Sequence, residues 1–253
     1  MSIIQGTAKG GSTGFYDFPI GDSLRFDGSS YLSRTPTTVG NRRTWTWSGW
    51  VKRTSTSTGA EVLFQAGAGS NYIWFLYSAN NLYIQQNPSS TIELRTTQVF
   101  RDVGAWGHIV LAVDTNQSSG SDRVKLYFNG AQITSFDVST SNQNLDTYVN
   151  NTDTHIIGTN AGFNADYVGY LANIQLIDGQ ALDASYFGET KGDIWIPKTF
   201  DGTSSTGGST VSTDYGTNGF LLDFSSISGT TINDTAPIDT NHSSANNWTA
   251  TGF

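Results

Sequence analysis

Residues 45–53 read WTWSGWVKR, the stretch of the chain with the clearest two-residue alternation. Successive side chains of a β-strand point to opposite faces, so the pattern sorts this stretch into two sets. Trp45, Trp47 and Val51 fall on one face, and Thr46, Ser48 and Lys52 fall on the other. The sequence therefore predicts a strand with one face in a hydrophobic core and the other in water.

Similar runs of β-branched and aromatic residues recur at intervals of about ten residues, separated by Gly, Asn, Asp and Ser. We expect strands at 23–26, 45–53, 61–66, 72–77, 82–86, 106–113, 123–128, 131–138, 155–159 and 167–177. This density is typical of an all-β sandwich or barrel. The helical signal is limited to a short piece at Leu182–Phe187.

Asn129 and Gly130 separate two of these runs and give the strongest turn signal in the chain. Both residue types tolerate the positive φ that a type I′ turn requires. The sequence thus predicts that the runs at 123–128 and 131–138 pair as antiparallel neighbours.

The composition excludes several classes of function. The chain has 253 residues, a formal net charge of −8, three His and no Cys. Without Cys there is no disulfide framework, thiolate nucleophile or Cys-type zinc site. An acidic surface repels a phosphate backbone, so we expect no nucleic-acid partner. No run of about 20 apolar residues is present, so we expect no membrane insertion.

Composition also divides the chain into three parts. These are an N-terminal arm at 1–22, a β-domain at 23–188 and a C-terminal extension at 189–253. We interpret Phe15, Tyr16 and Phe18 as the contacts of an assembly arm that docks on a neighbouring protein; the alternative is a flexible terminus with no such contact. Segment 202–213, GTSSTGGSTVST, has the low complexity of a flexible loop.

Five segments occur in this order along the chain: SLRFDGSSYLS, WTWSGWVKR, GAWGHIVLAVD, DRVKLYFNGAQ and GYLANIQLIDGQAL. This order resembles the laminin-G-like, concanavalin A-like jelly-roll domain, with its Trp-x-His strand, Asn-Gly hairpin and closing Gly-x-hydrophobic strand. The matching positions are Trp106, His108, Asn129, Gly130, Gly169, Leu171 and Ile174. The resemblance implies an all-β fold of two antiparallel sheets packed as a jelly-roll sandwich.

The downstream segments DGQALDASYFGE, GDIWIPKTF and YGTNGFLLDF resemble virion structural proteins of marine, largely cyanobacterial, phages. That resemblance implies a non-enzymatic protein of the virion surface, either a capsid decoration or head fibre or a tail-associated adhesin. Its partners would be other virion proteins, of capsid or tail, and a host-surface polysaccharide. By analogy with phage fibres we expect a homo-oligomer, with a trimer as the leading form.

A glycan-degrading hydrolase is the alternative, because the jelly-roll family also contains glycoside hydrolases. Retaining enzymes of this fold place two Glu and an Asp within a few residues of one strand. The Glu residues of this chain are Glu61, Glu93 and Glu189, and none lies in an E-x-D-x-E pattern. We therefore expect no enzyme.

Calcium is the cofactor that the resemblance suggests, because many laminin-G-like relatives hold this ion through oxygen atoms at the sandwich rim. The candidate ligands are Asp153, in NNTDTH, and Asn164 with Asp166, in GFNADY. The competing interpretation is that these residues only form turns.

Glycan recognition usually combines an aromatic platform, which stacks on a sugar ring, with polar groups that bond its hydroxyls. The candidate platform residues are Tyr72, Phe163 and Tyr167, with Trp74 and Tyr77 on the same strand as Tyr72.

Overall fold

The computed structural model describes residues 18–56, 59–88, 91–162, 164–238, 242 and 245–253, so Phe15, Tyr16 and Phe163 lie outside the described residues. Its strands are β1 Leu24–Asp27, β2 Tyr31–Arg34, β3 Thr44–Arg53, β4 Ala60–Ala68, β5 Asn71–Ser78, β6 Asn81–Asn87, β7 Ile92–Val99, β8 Gly107–Asp114, β9 Val124–Phe128, β10 Ala131–Ile133, β11 Phe136–Ser141, β12 His155–Ile157, β13 Val168–Asp178, β14 Gly188–Lys191, β15 Ile194–Pro197, β16 Phe220–Leu222, β17 Ile227–Ser228, β18 Thr231–Ile232 and β19 Trp248–Thr251. Helical turns occur at α1 Gly120–Arg123 and at a 3-10 turn, Ala184–Tyr186. No helix in these ranges is long and apolar enough to span a bilayer.

Two large antiparallel sheets form the sandwich, as the sequence predicts. The first, sheet A, has the order β1-β13-β3-β8-β9-β10, with β16 also paired to β13. The second, sheet B, has the order β11-β7-β6-β5-β4-β12-β2-β19-β18-β17. A separate hairpin joins β14 to β15.

The predicted hairpin is present. Asn129 and Gly130 have φ angles of 47° and 81°, and β9 pairs with β10 in antiparallel register. The run predicted at 131–138 is divided, however, because β10 ends at Ile133 and β11 then pairs with β7 in sheet B. Sheet B also contains strands that the sequence did not reveal: β2, β7, β17, β18 and β19.

The space between the sheets is filled by the alternating apolar set. Trp45, Trp47 and Val51 lie in this core, where the Trp47 ring meets Phe75 of the opposite sheet edge-on, with centroids 5.4 Å apart. Burying such large rings is the main favourable contribution to folding in a chain with so few charged residues.

The other face of β3 is covered at Thr46 and Ser48, which corrects the prediction for these two residues, whereas Lys52 is half-exposed. The Thr46 and Ser48 side chains are fully buried. A second apolar layer, drawn mostly from residues after β13, covers the outer face of sheet A; it includes Ile177, Leu182, Tyr186, Phe187, Phe200 and Tyr215. Thr46 accommodates this layer through its hydroxyl, which donates to the Gln180 carbonyl at 2.8 Å and accepts from the Leu182 N–H at 2.8 Å.

The C-terminal extension is therefore part of both sheets and of the covering layer. Strand β16 joins sheet A, while β17, β18 and β19 extend sheet B beside β2. The segment predicted as a flexible loop, 202–213, is closed by a β-bridge between Thr203 and Thr210, and Ser204 is buried.

The carboxylate of Asp178, at the end of β13, joins this extension to the sandwich. Its Oδ1 accepts from the Asn41 N–H at 2.7 Å and from Nδ2 of Asn150 at 2.9 Å, and its Oδ2 accepts from the Asn218 N–H at 3.0 Å. Gly216 has φ of 75°, and a Cβ there would lie 2.2 Å from the Asp178 carbonyl oxygen, so only glycine fits. Burial raises the pKa of Asp178 to about 6.

We expect Asp178→Asn to lower the free energy of unfolding by about 1–3 kcal/mol, because an amide NH₂ would then face at least one buried N–H donor. Urea denaturation at pH 7.5 measures this difference. The control is Asp137→Asn, an exposed carboxylate on β11, for which we expect a change within about 0.5 kcal/mol. Equal effects of the two variants would contradict the role given to Asp178.

Candidate functional site

The outer face of sheet B carries an array of aromatic and polar side chains. In the antiparallel register, Tyr72 lies opposite Asn87, and Trp74 lies opposite Gln85. Facing residues in such a sheet share one side, so these positions form a continuous surface with their neighbours on β4 and β7. We call this surface, comprising Tyr72, Trp74, Tyr83, Gln85, Asn87, Glu93 and Arg95, the β5–β7 face.

Tyr72 and Trp74 form its aromatic centre. Both side chains are half-buried, and their ring centroids lie 4.9 Å apart with the planes inclined by 57°. The Tyr72 hydroxyl accepts from Nδ2 of Asn87 at 2.5 Å, which holds the ring in position. The indole N–H of Trp74 is buried and has no hydrogen-bond partner among the described residues. The pair thus presents ring surface to solvent beside polar groups.

A charged pair lies next to this centre on β7. The Tyr83 hydroxyl donates to Oε1 of Glu93 at 2.7 Å, and the guanidinium of Arg95 lies 4.8 Å from the centre of the Tyr83 ring. Burial, together with the Glu93 carboxylate, raises the pKa of Tyr83 to about 12, so its hydroxyl stays protonated at neutral pH. Glu93 and Arg95 are only half-buried and supply an acceptor and a donor at the rim.

The loop between β12 and β13 borders the same face. The Ala165 carbonyl accepts from the Val62 N–H at 2.9 Å, and the Ala161 N–H donates to Oε1 of Gln65 at 3.4 Å. Ala165 also packs with Val62, Leu76 and Tyr83 in a small apolar cluster on this side of the sheet.

Two of the predicted platform residues are misplaced. Tyr167 is fully buried between the sheets, where its ring meets Phe26 at 6.1 Å, so it cannot stack on a sugar. Tyr77 also faces inward and is buried. Tyr72 and Trp74 lie on the open face, as the prediction requires.

The sequence did not single out Tyr83, Gln85, Glu93 and Arg95. The signal was nevertheless present, because in LYIQQ and IELRT the polar residues alternate with the buried Ile84, Ile92 and Leu94.

The three calcium candidates do not lie together. Asp153 precedes β12, where its carboxylate accepts from Asn151 at 2.6 Å, whereas Asn164 and Asp166 follow β12. A strand of three residues spans about 10 Å, which is too long for one shared ion. Asp166 accepts from the Thr159 hydroxyl at 2.5 Å, and Asn164 exchanges hydrogen bonds with Asn160. In the described ranges, no group of three or more His, Asp and Glu residues is placed to hold a metal ion.

One pair resembles a hydrolase dyad, since Ser48 Oγ lies 2.9 Å from Nε2 of His108. The indole N–H of Trp195 donates to Nδ1 of His108 at 3.0 Å, so Nδ1 carries no proton and Nε2 must donate to Ser48. A general base needs the opposite arrangement. Burial also lowers the pKa of His108 to about 3. This His is a structural group that anchors the hairpin of β14 and β15.

The Glu residues are equally unsuited to joint catalysis. Glu61 is buried between the sheets and paired with Arg53, whereas Glu93 lies on the outer face of sheet B. Glu189 lies on β14, in the separate hairpin. Two carboxylates that attack one glycosidic bond must face each other across it, and these three do not share a face.

Comparison with known proteins defines the class of this fold. The profile of the concanavalin A-like lectin/glucanases superfamily matches residues 26–185. The chain belongs to this family, which includes the laminin-G type predicted from its motifs.

A putative carbohydrate-binding protein from Bacteroides ovatus is similar in structure, with a TM-score of 0.57 and 14% identity. The similarity covers 91% of this chain and 58% of that one, so the chain spans less than two thirds of that relative. Domain 4 of a Geobacillus stearothermophilus arabinanase, solved with arabinotriose, gives a TM-score of 0.48 and 20% identity over 70% of this chain and 80% of that one. No curated protein matches the sequence.

The buried histidine gives a pH prediction. An unfolded His takes up a proton near pH 6.5, but His108 in the folded chain does so only near pH 3, so its contribution to stability falls as the pH falls between these values. In His108→Gln, the amide keeps one acceptor for Trp195 and one donor for Ser48 but does not titrate. We expect the pH dependence of the unfolding free energy at pH 5 to be smaller by about 1.4 kcal/mol per pH unit in this variant. Urea titrations from pH 7 to pH 4 measure it, and equal slopes would show that His108 titrates normally.

Proposed function

We propose that this chain binds glycans through the β5–β7 face and catalyses no reaction on them. The observation that carries the proposal is the half-buried Tyr72–Trp74 pair on the open face of sheet B. The apolar face of a sugar ring packs on aromatic rings, and hydroxyls need fixed donors and acceptors beside them. The family and the carbohydrate-binding relative from Bacteroides ovatus, which shares the fold, support this proposal.

The polar groups of the face suit a sugar with several hydroxyls. The Glu93 carboxylate accepts hydrogen bonds and the Arg95 guanidinium donates them. The side-chain amides of Gln85 and Asn87 have both a donor and an acceptor group. The acid and the base are each single charges held beside Tyr83, so the face has no net charge to select a strongly acidic polymer. A neutral polysaccharide is therefore the ligand class that we propose.

We propose further that the protein belongs to the surface of a phage virion, as a capsid decoration, head fibre or tail-associated adhesin. The motifs downstream of β13 support this assignment through their resemblance to marine phage virion proteins. Contacts with Asp178 account for two residues of the YGTNGF segment. A Cβ at Gly216 would clash with the Asp178 carbonyl oxygen, and the Asn218 N–H donates to the Asp178 carboxylate. The homo-oligomer, with a trimer as the leading form, stays a prediction that light scattering tests.

Calcium stays a prediction for the loop at 158–166, where Asn164 and Asp166 are neighbours, and Asp153 is excluded from that site by its position. One carboxylate and one amide fall short of the six to eight oxygens that calcium prefers, so the loop by itself fits the ion poorly. The glycan proposal does not depend on calcium.

We expect Trp74→Ala to weaken binding to host-envelope polysaccharide by about tenfold or more, because it removes the larger ring of the platform. Biolayer interferometry with immobilised polysaccharide, in calcium and again in EDTA, measures the change. Loss of wild-type binding in EDTA would show that binding requires a divalent cation.

The matched control is Phe253→Ala, which removes an aromatic ring that is 54% exposed at the C-terminus, away from the platform. We expect this variant to bind like the wild type. Thermal melting of both variants shows whether they are folded. Equal binding by folded Trp74→Ala and by the wild type would overturn the assignment of the face.

We expect a protein lacking residues 1–18 to keep its fold but to be absent from particles, because Phe15, Tyr16 and Phe18 are the predicted assembly contacts. Quantitative mass spectrometry of purified virions, after expression of the shortened gene in infected cells, measures the copy number. An unchanged copy number would contradict the assembly role of the arm.

A further inference from the structure

One row of side chains crosses the strands on the outer face of sheet B. The register pairs Trp74 on β5 with Gln85 on β6, and Gln85 with Glu93 on β7. It pairs Glu93 in turn with Thr140 on β11. Paired residues of neighbouring strands face the same side of a sheet, and all four of these side chains are at least partly exposed. The row therefore leads from the aromatic platform across three further strands.

The row is closed at its β4 end. The next residues in it, Gln65 on β4 and Ile156 on β12, belong to the same outer face, yet they are only 2% and 4% exposed. The loop between β12 and β13 lies over this part of the sheet, where its Ala161 N–H donates to Oε1 of Gln65 at 3.4 Å. Ala165 of the same loop belongs to the small apolar cluster against which Trp74 packs. The loop is therefore a wall beside the platform.

The opposite end of the row is open. Strand β11 is the edge of sheet B, so no strand follows Thr140 among the described residues, and the Thr140 side chain is exposed. Neighbouring strands lie about 4.8 Å apart, so the row from Trp74 to Thr140 is about 14 Å long. With a wall at one end and solvent at the other, the row can take up a linear molecule only by one of its ends.

The dimensions of this row suit a sugar chain. One pyranose unit of an extended chain advances by about the distance between neighbouring strands, about 4.8 Å, so successive sugars would lie over successive strands. Beyond the sugar that stacks on Trp74, the Gln85 amide, the Glu93 carboxylate and the Thr140 hydroxyl offer one hydrogen-bonding group to each further sugar. A chain in this position cannot continue past Trp74, because the loop occupies the next place in the row.

We propose that the β5–β7 face binds the end of a linear glycan and not its interior. The terminal sugar stacks on Tyr72 and Trp74 against the loop between β12 and β13, and the chain leaves over β6, β7 and β11. This inference rests on the glycan binding proposed above, and it adds which part of the polysaccharide is bound.

The amount of protein that a polysaccharide binds at saturation tests the proposal on the full chain. The probe is the host-envelope polysaccharide, intact and after partial acid hydrolysis into fractions that are still longer than the row. Sedimentation-velocity ultracentrifugation measures the bound protein per gram of sugar. We expect this amount to rise in proportion to the number of chain ends. An amount that does not change with chain length would overturn the proposal and leave the proposed function intact, whereas no binding to any fraction would overturn both.

Short oligosaccharides from the same hydrolysis test the path of the chain. We expect the affinity to rise up to four sugar units and no further, because four strands contribute to the row. Thr140→Val replaces the hydroxyl by a methyl group, and it should weaken tetrasaccharide binding about threefold to tenfold while leaving disaccharide binding unchanged.

The matched control is Ser139→Ala on the same strand. Ser139 pairs with Leu94, whose side chain lies in the core, so the Ser139 hydroxyl is on the side of the sheet away from the row. We expect this variant to bind the tetrasaccharide like the wild type. Equal tetrasaccharide binding by Thr140→Val and by the wild type would contradict the path across β11 and overturn the proposal.

Discussion

The structure depends on one carboxylate at the end of its central strand. Asp178 accepts hydrogen bonds from the segment before β3, from the loop before β12 and from the segment before β16. These segments are far apart in sequence, and each would otherwise leave a polar group buried without a partner. The carboxylate therefore fixes where the C-terminal extension begins to fold back, and the covering layer on sheet A is assembled from that point.

The covering layer in turn decides where a ligand can bind. A two-sheet sandwich has two outer faces, and here the C-terminal residues occupy the outer face of sheet A. Trp195 packs against Gly130 and Gly188, and a Cβ at either glycine would lie about 2.5 Å from its ring. With that face occupied, the described residues leave open the outer face of sheet B, which carries the aromatic array.

The two-residue periodicity of the sequence predicted many strands of the sandwich. It carries no information about which distant segments cover their outer faces. The inward set of Trp45, Trp47 and Val51 and the Asn129–Gly130 hairpin follow from local rules of side-chain direction and backbone φ. Thr46 and Ser48 were predicted to face water because polar side chains usually do, yet both are buried: Thr46 bonds to Gln180, 134 positions later, and Ser48 contacts His108, 60 positions later. The same limit applies to Tyr167. A Tyr in a Gly- and Asn-rich loop is usually exposed, but the connection between β12 and β13 places this side chain between the two sheets.

The distribution of ionisable groups is the reason that we propose binding rather than catalysis. His108 is neutral and donates through the nitrogen that a base would need free. Glu61 is compensated by Arg53, and Asp178 is saturated by N–H donors. The hydrogen bonds and the ion pair of these buried groups stabilise the fold. The β5–β7 face instead presents aromatic rings, amides and two single charges, the kinds of group that stack on sugar rings and hydrogen-bond to their hydroxyls.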